Sequence, residues 1–212
     1  MTVFEDISSA VQRGRKKEVK PLVQQALEEG VEPSSILNKG LVPAMDVIGE
    51  RFSAGEVFVP EMLIAARAMA TGVEVLKPYL AEEGAEPLGK AVIGTVRGDM
   101  HDIGRNLVRM MIESKGFEVT DLGVDVAPEQ FVTFIQEHED VDIVCCSSLL
   151  TTTMPAIKDT IAAIEAAGLR DQVKIMIGGA PVTQAYSDEV GADAYTPDAG
   201  AAAAKAVDLV RG

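Results

Sequence analysis

From Phe4 to about Leu80 the apolar positions recur at helical spacing. Val3, Ile7 and Val11 mark a first stripe, and Val19, Leu22, Val23 and Leu27 a second. Pro33-Ser34-Ser35 suits a helix start, and Leu37, Leu41, Met45, Ile48 and Phe52 line one side of the helix that follows. Ser53-Ala54-Gly55 ends it. Pro60 then fits the first turn of another helix, carrying Met62, Leu63, Ala66, Met69, Val73, Leu76 and Leu80. Short connections between such helices predict a compact antiparallel bundle.

The segment from Ala81 to Gly89, rich in acids and glycine and holding Pro87, interrupts this pattern. Beyond it the period changes. Short runs rich in Val and Ile, at 90–96, 118–122, 142–147, 173–177 and 193–196, predict strands. Helical windows fall near 104–115, 128–138, 155–167, 182–189 and 201–210. Strand and helix in alternation predict a parallel sheet covered on both faces, a doubly wound α/β domain of flavodoxin-like or Rossmann-like type. The division that follows is a helical domain at 1–83, a linker at 84–89 and an α/β domain at 90–212.

Composition narrows the function. The 212 residues are 47% hydrophobic and 25% charged, ordinary for a globular chain with a core. No window supplies a membrane helix, and Met1-Thr2-Val3-Phe4-Glu5-Asp6 does not resemble a signal peptide, so a cytoplasmic protein is expected. A formal net charge of -14 repels phosphate backbones, which makes nucleic acid and membrane surfaces poor partners. Cys145 and Cys146 are adjacent in an apolar run, where neighbours on a strand point to opposite faces, and they read as reduced core residues.

The candidate chemistry lies in the loops after strands, the edge where open parallel sheets bind ligands. After the first strand comes Asp99-Met100-His101-Asp102-Ile103-Gly104. A neutral imidazole is a common metal ligand, and a nearby carboxylate fixes its tautomer. After the third strand comes a hydroxyl-rich run from Ser147 through Leu149 and Thr151 to Thr153, and after the fourth Gly178-Gly179. Singly, each has a duller explanation: His101 as a helix cap, the hydroxyls as turn and capping residues, the glycines as a tight turn. His138, among acids, reads as a solvated helix end, and Met110-Met111 as core. Convergence of three loops on one edge is what favours a site.

Assembled, these residues resemble the corrinoid proteins of cobalamin-dependent methyl transfer, including the cobalamin-binding module of methionine synthase. The shared pattern D-x-H-x-x-G, S-x-L, G-G stands here as Asp99/His101/Gly104, Ser147-Ser148-Leu149 and Gly178-Gly179. Gly104-Arg105-Asn106-Leu107-Val108 and Asp121-Leu122-Gly123-Val124 extend it. Gly49-Glu50-Arg51-Phe52 and Phe58-Val59-Pro60-Glu61-Met62 look like that family's helical cap.

The resemblance implies a cobalamin or related corrinoid, cycling between methylcobalamin and cob(I)alamin. It implies His101 as the lower cobalt ligand and Asp99 as its hydrogen-bonded partner. Thr153 occupies the place of a serine in the methionine synthase branch. Met100, Asp102, Ile103 and Gly104 complete the motif; Ser147, Leu149, Thr151, Gly178 and Gly179 would border the buried base and nucleotide tail. Phe52 and Val59 would cover the upper face. No residue is assigned a catalytic role. The implied partners are a substrate-specific methyltransferase (methylamine, methanol, betaine or aryl methyl ether as donor), a second methyltransferase delivering to coenzyme M or tetrahydrofolate, and a reductive activation protein. The alternatives are the cobalamin-binding subunit of an adenosylcobalamin-dependent mutase, a cobalamin-sensing regulatory module, and a signalling domain with no corrin.

Overall fold

A computed structural model describes residues 2–82 and 86–212. The chain divides into two compact units, Met1–Pro87 and Leu88–Gly212. The predicted linker at 84–89 overlaps residues 83–85, which lie outside the described part.

The first unit is helical. Its elements are α1 (Val3–Gln12), α2 (Lys16–Glu28), α3 (Pro33–Ile36), a π-helical turn over Leu37–Leu41, α4 (Val42–Ser53) and α5 (Val59–Glu82). Thr2 and Glu5 form a reciprocal capping box at the start of α1: the Glu5 carboxylate accepts from Thr2 N–H at 2.7 Å, and the Thr2 hydroxyl accepts from Glu5 N–H at 3.3 Å. At α5 the Glu61 carboxylate likewise reaches back to Phe58 N–H, at 2.7 Å. The core collects Ile7, Val11, Val19, Val23, Ile36, Leu41, Met45, Ile48, Met62, Met69 and Leu76, all buried.

One difference from the pattern concerns the stretch opened by Pro33. It is not one uninterrupted α-helix, because the π turn inserts a residue, and the buried stripe steps from Ile36 to Leu41 before resuming at Met45 and Ile48. Leu37 and Phe52 are consequently only half-buried. The turn also brings Gly40 against Ile7, where an added Cβ would lie 3.3 Å from Ile7 Cγ2.

The second unit holds β1 (Lys90–Val96), α6 (Ile103–Glu113), β2 (Glu118–Val126), α7 (Pro128–Glu137), β3 (Ile143–Ser147), α8 (Met154–Ala166), β4 (Lys174–Gly178), α9 (Gln184–Val190), β5 (Ala194–Tyr195) and α10 (Ala199–Arg211). All four strand pairs are parallel, in the order β2-β1-β3-β4-β5. On one face Val92, Val96, Val144, Cys146, Ile175 and Ile177 pack with Phe131 and Ile135 of α7 and Ile157, Ile161 and Ile164 of α8. Strand alternation puts Ile93, Cys145 and Met176 on the other face. The two cysteines therefore point apart and are free and buried. The order in which strands are added reverses between β1 and β3, the switch point at which such sheets bind ligands.

β2 runs past the predicted 118–122 to Val126. Gly123 and Asp125 are turn-forming residue types, and they belong to the strand only because β1 pairs with this stretch through two irregularities in register.

Candidate functional site

The loops after β1 and β3 meet over the switch point, and Asp99 is the group that joins them. Its side chain is fully buried, yet every partner it has is a donor. Asp99 Oδ1 accepts from His101 N–H at 3.0 Å and lies 2.8 Å from His101 Nδ1. Asp99 Oδ2 accepts from Leu149 N–H at 2.7 Å and from the Thr153 hydroxyl at 2.8 Å. Burial pushes the carboxyl up, but the N–H groups of His101 and Leu149, the imidazole and the Thr153 hydroxyl outweigh it. They hold Asp99 well below the usual carboxylate range.

An ionised Asp99 can only accept, so His101 Nδ1 carries the proton. With the proton of an uncharged ring on Nδ1 the lone pair is on Nε2, and half of the side chain faces outward. This is the donor arrangement of a single imidazole ligand held in one tautomer. The His101 carbonyl is in turn fixed by the buried Thr95 hydroxyl at 2.8 Å.

The surroundings of His101 are open and apolar. Met100 is 68% exposed and Ile103 71%, and Leu149 and Leu150 are exposed as well; these are the exposed large hydrophobic side chains of this unit. Met100, Leu149 and Leu150 lie on the loops that carry Asp99 and Thr153, and Ile103 opens α6 two residues after His101. Gly104, near the start of α6, has no neighbouring atom within 4 Å of the place a Cβ would take. Nothing in the protein's own packing demands glycine there, and the exposed backbone at that point is open to a bound group. These features fit a metal carried in a macrocycle.

The loop after β4 joins the same edge. Ser148 N–H donates to Gly178 O at 3.1 Å. Gly179 has φ +131, and a Cβ there would run into the Ser148 carbonyl, so close backbone approach requires glycine. Ser147 pairs with Thr95 and Gly178 across the sheet, while Thr151 and Asp102 are exposed. Phe52, in α4, and Val59, at the start of α5, are half-buried parts of the helical unit. His138 ends α7, its ring stacked on Phe134 with centroids 4.1 Å apart.

Three residues were not singled out from sequence. Thr95 sits in an apolar strand, where a lone hydroxyl was the available signal. Ser148 is fully buried with its hydroxyl 2.8 Å from Thr153 Oγ1. Asp125 Oδ1 accepts from Gly98 N–H at 2.6 Å, a contact no local pattern announces.

Comparison with known proteins identifies the family. A family profile described as a B12 binding domain matches residues 89–207, and a second of the same description matches residues 3–77. The chain belongs to the B12-binding family. This B12-binding chain is 43% identical over 209 residues to dimethylamine corrinoid protein 1 of Methanosarcina acetivorans, covering 98% of this chain and 97% of that one. It is 38% identical over 213 residues to monomethylamine corrinoid protein 1 of the same organism, covering 99% and 98%. Among solved structures it resembles a cobalamin-binding protein from Desulfitobacterium hafniense, with a TM-score of 0.83, 30% identity and 98% of each chain covered. It also resembles a chain of the methanol:cobalamin methyltransferase complex of Methanosarcina barkeri, with a TM-score of 0.85 and 28% identity over 99% of this chain and 80% of that chain. Its cofactor is a corrinoid.

Proposed function

We propose that this B12-binding chain is a methyl carrier, receiving a methyl group from a substrate-specific methyltransferase and yielding it to a second one. A methylamine, dimethylamine foremost, is the methyl donor of that first enzyme. The observation that carries the reading is the half-exposed imidazole of His101, its Nδ1 2.8 Å from the buried Asp99 carboxylate. When bound, a corrinoid supplies a cobalt atom that can accept a methyl group as a cation equivalent and release it again.

The residues do the rest. His101 would hold the metal through Nε2, and Asp99 keeps the ring in the tautomer that leaves that atom free to ligate. When Nε2 holds no metal it could take a proton, and the Asp99 carboxylate beside Nδ1 would stabilise the imidazolium. Met100, Ile103 and Leu149 give apolar contact near His101, and Gly104 allows close approach. Ser147, Thr151, Gly178 and Gly179 border the cofactor's nucleotide tail. Phe52 and Val59, in the helical unit, are assigned as apolar cofactor contacts on the sequence resemblance alone. Support for the donor class comes from the 43% identity to a dimethylamine corrinoid protein along nearly the whole chain.

The test is reconstitution with hydroxocobalamin beside His101→Ala, followed by methyl-transfer assays with mono-, di- and trimethylamine methyltransferases. The reading expects a retained corrinoid whose absorbance changes with the substitution, and methylation of the wild type fastest with the dimethylamine enzyme. An unchanged spectrum in His101→Ala removes the ligand assignment. Failure with every methylamine enzyme removes the donor class.

A further inference from the structure

The carboxyl half of β2 is irregular in a way that serves the site. Ile93 pairs with Asp121 but Gly94 with Gly123 and Val96 with Val126, so β2 carries surplus residues against β1 at two points. At the first, Asp121 Oδ1 accepts from Gly123 N–H at 2.9 Å, and Gly123 adopts φ +91. At the second stands Asp125, with φ +53, the sole non-glycine residue of positive φ among the described residues. Few side chains adopt that region, and such a conformation persists where surrounding contacts hold it.

The contacts that hold Asp125 are both on the loop after β1. Asp125 N–H donates to the Asp99 carbonyl at 2.9 Å. Asp125 Oδ1 accepts from Gly98 N–H at 2.6 Å. One residue therefore grips the backbone on both sides of the Gly98–Asp99 peptide. Asp99 in turn holds His101 twice, through its backbone N–H and its ring nitrogen. Bulges next to functional sites commonly re-aim a side chain, and here two bulges bring Asp125 under the peptide that carries Asp99.

We infer that Asp125 is a positioning residue for the metal ligand: its left-handed backbone and its carboxylate together fix the Gly98–Asp99 peptide, and through Asp99 they set the direction in which His101 presents Nε2. The inference rests on the ligand role proposed above for His101. Glycine at this position would relax the backbone but lose the bond to Gly98. Asparagine tolerates the same φ and keeps an accepting oxygen. Alanine loses the bond and keeps the strain.

The experiment compares Asp125→Asn, Asp125→Gly and Asp125→Ala with the wild type in two measurements. In cofactor-free protein, long-range 15N–1H correlation reads the tautomer of the His101 ring, with His138 as the internal reference. After reconstitution with hydroxocobalamin, absorbance reads the histidine-ligated fraction against His101→Ala as the ligand-free limit. We expect Asp125→Asn to match the wild type in both. Asp125→Gly and Asp125→Ala should show a mixed tautomer, and their histidine-ligation equilibrium should fall roughly tenfold, the scale of one charge-assisted hydrogen bond. A wild-type tautomer and a wild-type ligated fraction in Asp125→Gly would overturn the inference. If His101→Ala itself leaves the spectrum unchanged, the ligand reading fails on its own, and the tautomer measurement still decides whether Asp125 orients the ring.

Discussion

Thr153 Oγ1 lies 2.8 Å from Asp99 Oδ2, tying together two loops whose residues are 54 positions apart. The contact is buried on both sides, and it gives the carboxylate one more donor than its own loop provides. With Thr153 donating to an ionised acceptor, its oxygen can accept from Ser148, whose hydroxyl is 2.8 Å away. The threonine methyl faces Gly98, where an added Cβ would stand 3.4 Å from Thr153 Cγ2. The Thr153 hydroxyl thus serves two buried partners, Asp99 and Ser148.

Thr153→Val separates hydroxyl from methyl. It preserves shape but leaves Asp99 Oδ2 and the Ser148 hydroxyl short of a partner, at a cost of about 1–3 kcal/mol. Thr153→Ser loses only a buried methyl, about 0.5–1.5 kcal/mol. Urea unfolding of the cofactor-free protein should rank valine as the more damaging change, and the histidine-ligated fraction should fall in that variant alone. The reverse ranking would mean that packing against Gly98 selects the residue.

Two glycines at the same edge should respond in opposite ways. Gly104→Ala fills space that no protein atom approaches within 4 Å, on a helix, and should stabilise the cofactor-free chain by about 0.5–1 kcal/mol. The same change should weaken retention of hydroxocobalamin in equilibrium dialysis, because the open space is where a bound group would pass. Gly179→Ala drives a Cβ into the Ser148 carbonyl at φ +131 and should destabilise the fold before any cofactor is added. Equal stability losses in both variants would show that Gly104 serves the fold.

How much of this was legible depends on whether the signal was local. The change of period near Lys90 separated helical from α/β residues, and β1 at Lys90–Val96 matches its apolar run because that strand is buried along almost its whole length. Asp99 and His101 stood out because their bond spans two residues, within reach of a motif. Gly123 and Asp125 were misread as the end of a strand because their residue types favour turns, and only pairing with β1 recruits them. The π turn at Leu37–Leu41 was invisible for a similar reason, since it depends on how Gly40 meets Ile7. Ser148 and Asp125 act through contacts that sequence spacing does not encode.

Cys145 and Cys146 give a pH-dependent prediction. Burial pushes the Cys145 thiol up to about 12 and raises Cys146 as well, with the adjacent Cys145 adding to the second shift. In the unfolded chain both ionise near pH 8.5. Above that value the unfolded state sheds protons that the native state keeps, so stability is complete below about pH 8.5 and falls as pH rises toward the folded values, by up to about 1.4 kcal/mol per pH unit for each thiol. A thiol reagent at pH 8 should label neither cysteine in native protein and both in urea. The decline of the urea midpoint between pH 8 and 10 should be shallower in the Cys145→Ala/Cys146→Ala double variant. Rapid labelling of the native chain would contradict the burial of the strand they share.

The last prediction concerns the ion cluster where α6 meets β2. Arg105 is 6% exposed and lies 3.2 Å from Asp121 Oδ1 through Nε, while Nη1 is buried without a hydrogen-bond partner. Asp121 also accepts from Arg109 Nη1 at 3.2 Å and from Gly123 N–H at 2.9 Å. A buried pair gains little over a well-packed apolar side chain, whereas removal of one partner strands the other charge. Arg105→Met leaves Asp121 still paired with Arg109 and should cost no more than about 1 kcal/mol. Asp121→Ala leaves a buried guanidinium uncompensated and frees the Gly123 turn that leads to Asp125, so it should cost about 3–5 kcal/mol. Chemical denaturation of the two variants reads the difference directly. Equal costs would mean that the buried Arg105 guanidinium does not depend on Asp121 for its compensation.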